Sequence, residues 1–212
     1  HLSNPISNDL DQMRPSILPN LIAAAGRNAD RGYPGASLFE VGPIFLGSDA
    51  NEQPYVASGI RSGSAGPRHW SGPQSARSVD VFDAKADMLR VLDSCGAPTA
   101  SAQITREAPR WFHPGRSGAL RLGACVLGYF GEIHPSILDR MGLKGPVVGF
   151  EVFLESIPDP RKKSSTALPL VELSPFQPIS RDFAFVCDVK TEAETLVRAI
   201  RLVDKDLICD VT

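Results

Sequence analysis

No charge of one sign dominates this sequence. Lys and Arg total 22 and Asp and Glu 24, a formal net charge of −2. A whole-molecule field that attracts nucleic acid or an anionic membrane is therefore excluded, and any RNA contact must use a local patch. Long apolar runs are missing too. The longest are about five residues, such as 183–187, against the ~20 that a membrane-spanning helix needs. No secretory leader pattern opens the chain. The four cysteines, Cys95, Cys125, Cys187 and Cys209, form no CxxC pair, and their wide spacing excludes a disulfide scaffold at this length. Three lie in apolar stretches, which predicts reduced, buried thiols in a cytoplasmic protein. GxxxxGK[ST], a GxGxxG after a strand and GxSxG are all absent. The histidines His1, His69, His113 and His134 show no metal-binding spacing, so no zinc site is expected.

What is present suits a soluble globular protein: 42% hydrophobic and 22% charged residues over 212 positions, enough for one domain and part of a second. Gly 18 and Pro 18 point to many turns rather than a helix bundle. Arg outnumbers Lys 16 to 6. That excess fits either guanidinium recognition of phosphate or carboxylate, or codon bias.

Apolar spacing predicts an α+β arrangement. Ile17, Leu18, Leu21, Ile22 and Ala25 make one helix face, with Pro19 tolerated in the first turn and Gly32 ending it. Residues 38–46 alternate as a strand in which Pro43 belongs at an edge or bulge, and 56–60 is a second strand. Residues 61–78 form a long loop carrying Arg61, Arg68, His69 and Arg77 and no acid. It reads either as an RNA-contacting loop or as a solvated hairpin tip. Asp83 is expected to cap a helix with Ala84, Met88, Val91, Leu92 and Cys95 inward, stopped by Gly96. Strands follow at 120–122, 125–130 and 147–154, with a short helix opened by Pro135. Residues 158–168 read as a linker without a packing core. Beyond it, a strand at 181–188, a capping box at Thr191 and Glu194, a helix with Leu196, Val197, Ile200 and Val203 inward, and a strand from Leu207 make a truncated ferredoxin-like βαβ. The absent initiator Met and the terminal apolar run read as the ends of a fragment.

The residues that carry chemistry are ambiguous. His113-Pro114-Gly115-Arg116 and His134-Pro135 read as turns in which His supplies side-chain hydrogen bonds to the backbone and Gly115 takes positive φ; a catalytic His is the alternative. Arg27, Arg31 and Arg116 fit phosphate binding or surface ion pairing. Asp80, Asp83 and Asp87 fit paired-carboxylate chemistry or acids placed at a helix start for dipole reasons. No catalytic, cofactor-binding or metal-binding residue is assigned.

Seven ordered blocks carry a resemblance. They are residues 4–7 (NPIS), 13–21 (MRPSILPNL), 38–45 (LFEVGPIF), 82–87 (FDAKAD), 112–117 (FHPGRS), 128–135 (GYFGEIHP) and 178–186 (PISRDFAFV). Together the chain resembles the beta subunit of bacterial phenylalanyl-tRNA synthetase over nearly its whole length. The resemblance implies a class II synthetase-like antiparallel sheet with flanking helices over 1–157, a linker at 158–168, and the start of a ferredoxin-fold anticodon-binding domain over 169–212. It implies an alpha-subunit partner in a heterotetramer of two alpha and two beta chains, tRNA as a further partner, and ATP and magnesium as needs of the whole enzyme, with no cofactor in this fragment. It also implies a pseudo-catalytic module. Class II sites grip ATP phosphates with arginines, whereas the first strand here holds Pro43 and the strand at 149–156 offers acids and no Arg. The expected function is a non-catalytic structural and tRNA-binding piece of a ligase that joins phenylalanine to its tRNA through an adenylate. The alternatives are a free-standing RNA-binding module and a small ATP-dependent class II-like ligase. Candidate tRNA contacts are Arg61, Arg68, Arg77 and Arg181.

Overall fold

The computed structural model describes residues 1–8, 11–33, 35–66, 70, 77–159, 170 and 175–211. The chain divides into two compact units, His1–Pro160 and Arg161–Thr212.

The first unit is built on one six-stranded antiparallel sheet. Its strands are β1 (Ala36–Pro43), β2 (Tyr55–Ser62), β3 (Gln103–Thr105), β4 (Phe112–Leu122), β5 (Cys125–Ile133) and β6 (Val147–Phe153). Their order across the sheet is β1-β2-β6-β5-β4-β3. Two hairpin-type halves, β1–β2 and β3–β4–β5, are thus joined by β6, which pairs with β2 on one side and β5 on the other.

Period-two alternation sends the side chains of β6 to two separate cores. Val147 joins α1 (Leu18–Asp30) and α3 (Pro135–Arg140) on one face, with Val56, Ile60, Phe112 and Ile133. Val148, Phe150 and Val152 join α2 (Val81–Ser94) on the other, against Met88, Leu92, Leu127 and Phe130. The expected helix stripes are the buried ones: Leu18, Leu21, Ile22 and Ala25 in α1, and Ala84, Met88 and Leu92 in α2. Gly32 and Gly96 take φ of +88° and +75° just beyond the two helices, a conformation with no side-chain penalty for glycine.

Three expectations are corrected. Asp80, not Asp83, is the N-cap of α2; its carboxylate accepts from the Phe82 and Asp83 amides while Asp83 accepts from the Asp80 amide at 2.8 Å. All four cysteines are exposed. Cys95 closes α2 and Cys125 starts β5 beside the hairpin turn, positions where apolar neighbours in sequence do not mean burial. Gly115 is not at positive φ; it lies inside β4.

In the second unit, helix α4 (Ala193–Val203) forms, but its N-cap is Glu192 with no side-chain cap hydrogen bond in place of the expected Thr191 and Glu194 capping box, and none of its residues is buried, Val203 being exposed. Residues 181–188 and 207–211 form no ladder among the described residues, and Phe183, Phe185, Val186 and Leu207 are exposed. A strand needs a partner for its backbone groups, and neither segment has one here. The linker expected at 158–168 lies outside the described residues from 160 onward.

Candidate functional site

The centre of the sheet is sealed on both faces, and an acid lies within it. Glu151, in β6, is 3% exposed. Its Oε1 accepts from Ser16 Oγ at 2.7 Å, the Ile17 amide at 3.3 Å and Ser58 Oγ at 3.3 Å. Ser16 Oγ in turn accepts from the Leu18 amide at 3.1 Å. The N-cap residue of α1, Ile17, makes no side-chain cap and the first turn holds no acid. Beside the Ser16 Oγ that accepts from Leu18, Glu151 brings an acid to this helix start from the sheet, 134 residues away from the Ile17 amide it receives. Burial pushes the Glu151 carboxyl above the usual glutamate range, opposed by the Ser16, Ile17 and Ser58 hydrogen bonds that favour its charged form.

Arg61, Arg77, Asp80, Asp83 and Asp87, on or beside α2, pair with one another. Arg61, in β2, makes a two-pronged contact with Asp87, Nε to Oδ2 at 2.5 Å and Nη2 to Oδ1 at 2.7 Å. Arg77 bonds Asp83 through both prongs, at 2.8 and 2.7 Å, and Asp80 at 3.0 Å. Arg77 holds the Asp83 carboxyl below the usual aspartate range. The Ala65 amide donates to Arg77 O at 2.9 Å and the Val79 amide to Gly63 O at 3.0 Å, so the two ends of the 61–78 segment form a closed stem.

The β1 margin is open. The Ile44 amide donates to Pro54 O and the Leu46 amide to Glu52 O, which places the even-numbered residues of the strand line toward β2. Ser37, Phe39, Val41 and Pro43 then present their backbone groups outward, and Pro43 has no N–H to leave unpaired there. Arg14 covers the end of this edge: Nε donates to Pro43 O at 3.2 Å and Nη1 sits 2.6 Å from Glu40. Phe39 and Val41 are 78% and 52% exposed on the α2 side of the sheet, where α2 does not reach. Beside them is an open concavity of about 350 Å³ lined by Leu38, Phe39, Gly59, Val91 and Phe150 with the Arg61–Asp87 pair at its rim. Gly59 is required there, because a Cβ would stand 2.6 Å from the Phe150 ring.

At β4 the ladder jumps from Phe112↔Ile133 to Ser117↔Gly131, leaving residues 113–116 opposite Glu132 alone. This bulge holds itself together. His113 Nδ1 accepts from the Gly115 amide at 3.1 Å, Ser117 Oγ donates to His113 O at 2.7 Å, and Arg116 pairs with Glu132 at 2.6 Å. His134 Nδ1 accepts from the Ser136 amide at 3.2 Å, capping α3. Both histidines therefore bond the backbone through their side chains, but one lies in a strand bulge and the other caps a helix, not in isolated turns.

The structure brings together some of the sequence candidates and separates others. Arg61 and Arg77 serve the same helix, and a phosphate would reach either only by displacing a carboxylate. Arg68 lies outside the described residues. Arg181 is exposed in the second unit. Sequence reasoning missed the burial of Glu151, whose only signal was an acid inside the apolar run 147–154. Among the described residues no three His, Cys, Asp or Glu side chains form a metal-binding group, and no helix is long and apolar enough to cross a membrane.

A family model for the "phenylalanyl tRNA synthetase beta chain CLM domain" matches residues 1–154. The chain is 56% identical over 210 residues to the phenylalanine–tRNA ligase beta subunit of Rhodospirillum rubrum, covering 99% of this chain and 26% of that protein. It is 55% identical over 211 residues to the beta subunit of Paramagnetospirillum magneticum, covering 100% and 26%. It thus spans about a quarter of the length of these relatives. Among solved structures, a pyrrolysyl-tRNA synthetase from Desulfitobacterium hafniense aligns with a TM-score of 0.48 at 18% identity, over 68% of this chain and 46% of that one.

Proposed function

The chain belongs to the phenylalanyl-tRNA synthetase beta-chain family, and we propose that it is a non-catalytic structural module of that ligase whose β1 margin receives the alpha subunit. The whole enzyme would join phenylalanine to its tRNA using ATP and magnesium through a phenylalanyl adenylate. The residues of this module do not fit a triphosphate. Glu151 occupies the central strand where a phosphate-gripping cation would be needed, and apolar packing fills the sheet on both sides of it. No step of adenylate formation is derived through this chain.

The observation that carries the reading is the contrast between a sealed centre and an open edge. Phe39 and Val41 leave apolar area in water, flanked by outward backbone donors and acceptors, which is how a surface built for a protein partner differs from a solvated rim. The class II synthetase-like character of the sheet, the two-alpha, two-beta assembly and a cytoplasmic location belong to the same reading. So do the assignment of residues 169–212 to the start of an anticodon-binding domain and of Arg181 to a tRNA contact within it.

The test is co-expression with the cognate alpha subunit. The alpha subunit co-purifies with the unaltered chain, and Phe39→Asp with Val41→Asp abolishes co-purification while the melting temperature stays within a few degrees. Equal recovery with the double variant overturns the docking surface, and ATP–pyrophosphate exchange by this chain alone overturns the non-catalytic assignment.

A further inference from the structure

Three residues share one row across the sheet. Phe39 on β1 pairs with Gly59 on β2, and Gly59 with Phe150 on β6. The middle member has no side chain, and the Phe150 ring leans into its place: a Cβ on Gly59 would stand 2.6 Å from one ring carbon and 2.9 Å from the next. Phe150 is sealed, at 6% exposed, whereas Phe39 keeps most of its surface in water. Both rings line the open concavity of about 350 Å³, and Val91 of α2 supplies a further apolar wall.

The rim is polar and unequal. Asp87 gives one oxygen to each prong of Arg61. Arg90, three residues on in α2, comes only to 3.8 Å of the same carboxylate, and its side chain is 78% exposed. Among the described residues its guanidinium makes no hydrogen bond, so its donors face solvent at the mouth of the concavity. A free small molecule is a poor match for this shape. Such ligands bury most of their surface, and this concavity opens along the β1 margin. A side chain carried by a docked protein closes the opening with the rest of its own chain. An apolar anchor in a pocket, ringed by polar contacts that exclude water, is the pattern of an interface hot spot.

We propose that the concavity is the socket for one large apolar side chain of the alpha subunit, and that a carboxylate beside that side chain pairs with Arg90. The inference rests on the β1 margin receiving that subunit, and it adds which residues grip it and what chemistry they select. The socket supplies affinity. Arg90 is a rim charge, which sets partner choice and encounter rate more than affinity.

The test titrates purified alpha subunit onto the immobilised 212-residue chain in low and high salt. Val91→Trp fills the socket from the helix side and leaves Phe39, Val41 and the β1 backbone as they are; it weakens binding by about tenfold or more. Where tryptophan lowers the melting temperature by more than a few degrees, Val91→Met, a smaller intrusion, is read in its place and weakens binding in the same direction. Arg90→Gln alters only an exposed side chain and melts like the parent. It weakens binding by about threefold in low salt, and the difference vanishes in high salt. Parent-like binding by the Val91 variants, with binding abolished by Phe39→Asp and Val41→Asp, overturns the socket and leaves the docking margin standing. An Arg90→Gln effect that is absent, or equal in low and high salt, overturns the carboxylate partner. No binding by the unaltered chain, or binding that none of these variants changes, overturns both the socket and the docking margin.

Discussion

Replacing Glu151 by Ala removes the shared acceptor of three donors at once. Ser16 Oγ, at 2.7 Å, makes the strongest of these bonds, and the Ile17 amide and Ser58 Oγ at 3.3 Å are longer. A donor left buried without a partner costs ~1–3 kcal/mol. Weighted for the two long bonds, the loss is about 4 kcal/mol, a large share of the ~5–15 kcal/mol that holds a domain folded. With a urea slope of ~2 kcal/mol per molar, the unfolding midpoint falls by about 2 M. Glu151→Gln keeps an oxygen in the same place and loses about 1 kcal/mol. The pH dependence has a definite sign. The folded carboxyl is raised by burial above its unfolded value, so the native state binds the proton more readily. Stability attributable to this group is full below the ordinary glutamate range and declines as pH rises through the raised value. The stability difference between the unaltered chain and Glu151→Gln therefore narrows as pH rises across that window. Urea unfolding of the three proteins at several pH values is the assay. Alanine costing under about 1 kcal/mol, or glutamine costing as much as alanine, would refute the remote-cap argument.

Two further outcomes concern α2. Arg61 and Asp87 are each less than a third exposed and bond through both prongs, so a double-mutant cycle with Arg61→Ala and Asp87→Ala should return a coupling of about 1–2 kcal/mol in chemical unfolding; a coupling near zero contradicts the clamp. Asp83 is held below its ordinary range by Arg77, so its contribution is present above that range and is lost as pH falls through the lowered folded value. Asp83→Asn should flatten the acid limb of a stability–pH curve, and an unchanged limb would show that the pair does not favour the native state.

The regular elements of the first unit were legible because their signals are local. The α1 and α2 stripes repeat at helical spacing, and Pro43 lacks a donor that only an edge position can spare. Asp80 and Asp83 form an acid-x-x-acid pair in which either residue suits a cap by type, and only the backbone bonds tell which one caps. Long-range pairing was not legible. Glu151 reads as a solvated strand acid until Ser16 and the start of α1 are brought against it. Arg61 reads as a loop cation until its partner, 26 residues on, is placed beside it. The turn chemistry at His113 was visible in its residue types, but the strand around it was not, because the matching partner on β5 shows in neither composition nor spacing.

The position of β6 sets an order of events during synthesis. The strand at the middle of the sheet is the last of the six to be made. Until residues 147–153 emerge, the β1–β2 ribbon and the β3–β4–β5 ribbon have no common neighbour, and helix α2 lacks the strand it packs on most, while α1 already has β1 and β2 beneath it. A nascent chain stopped short of β6 would hold two unjoined ribbons with apolar faces in water, a natural substrate for chaperones. Completion of that single strand closes both cores together.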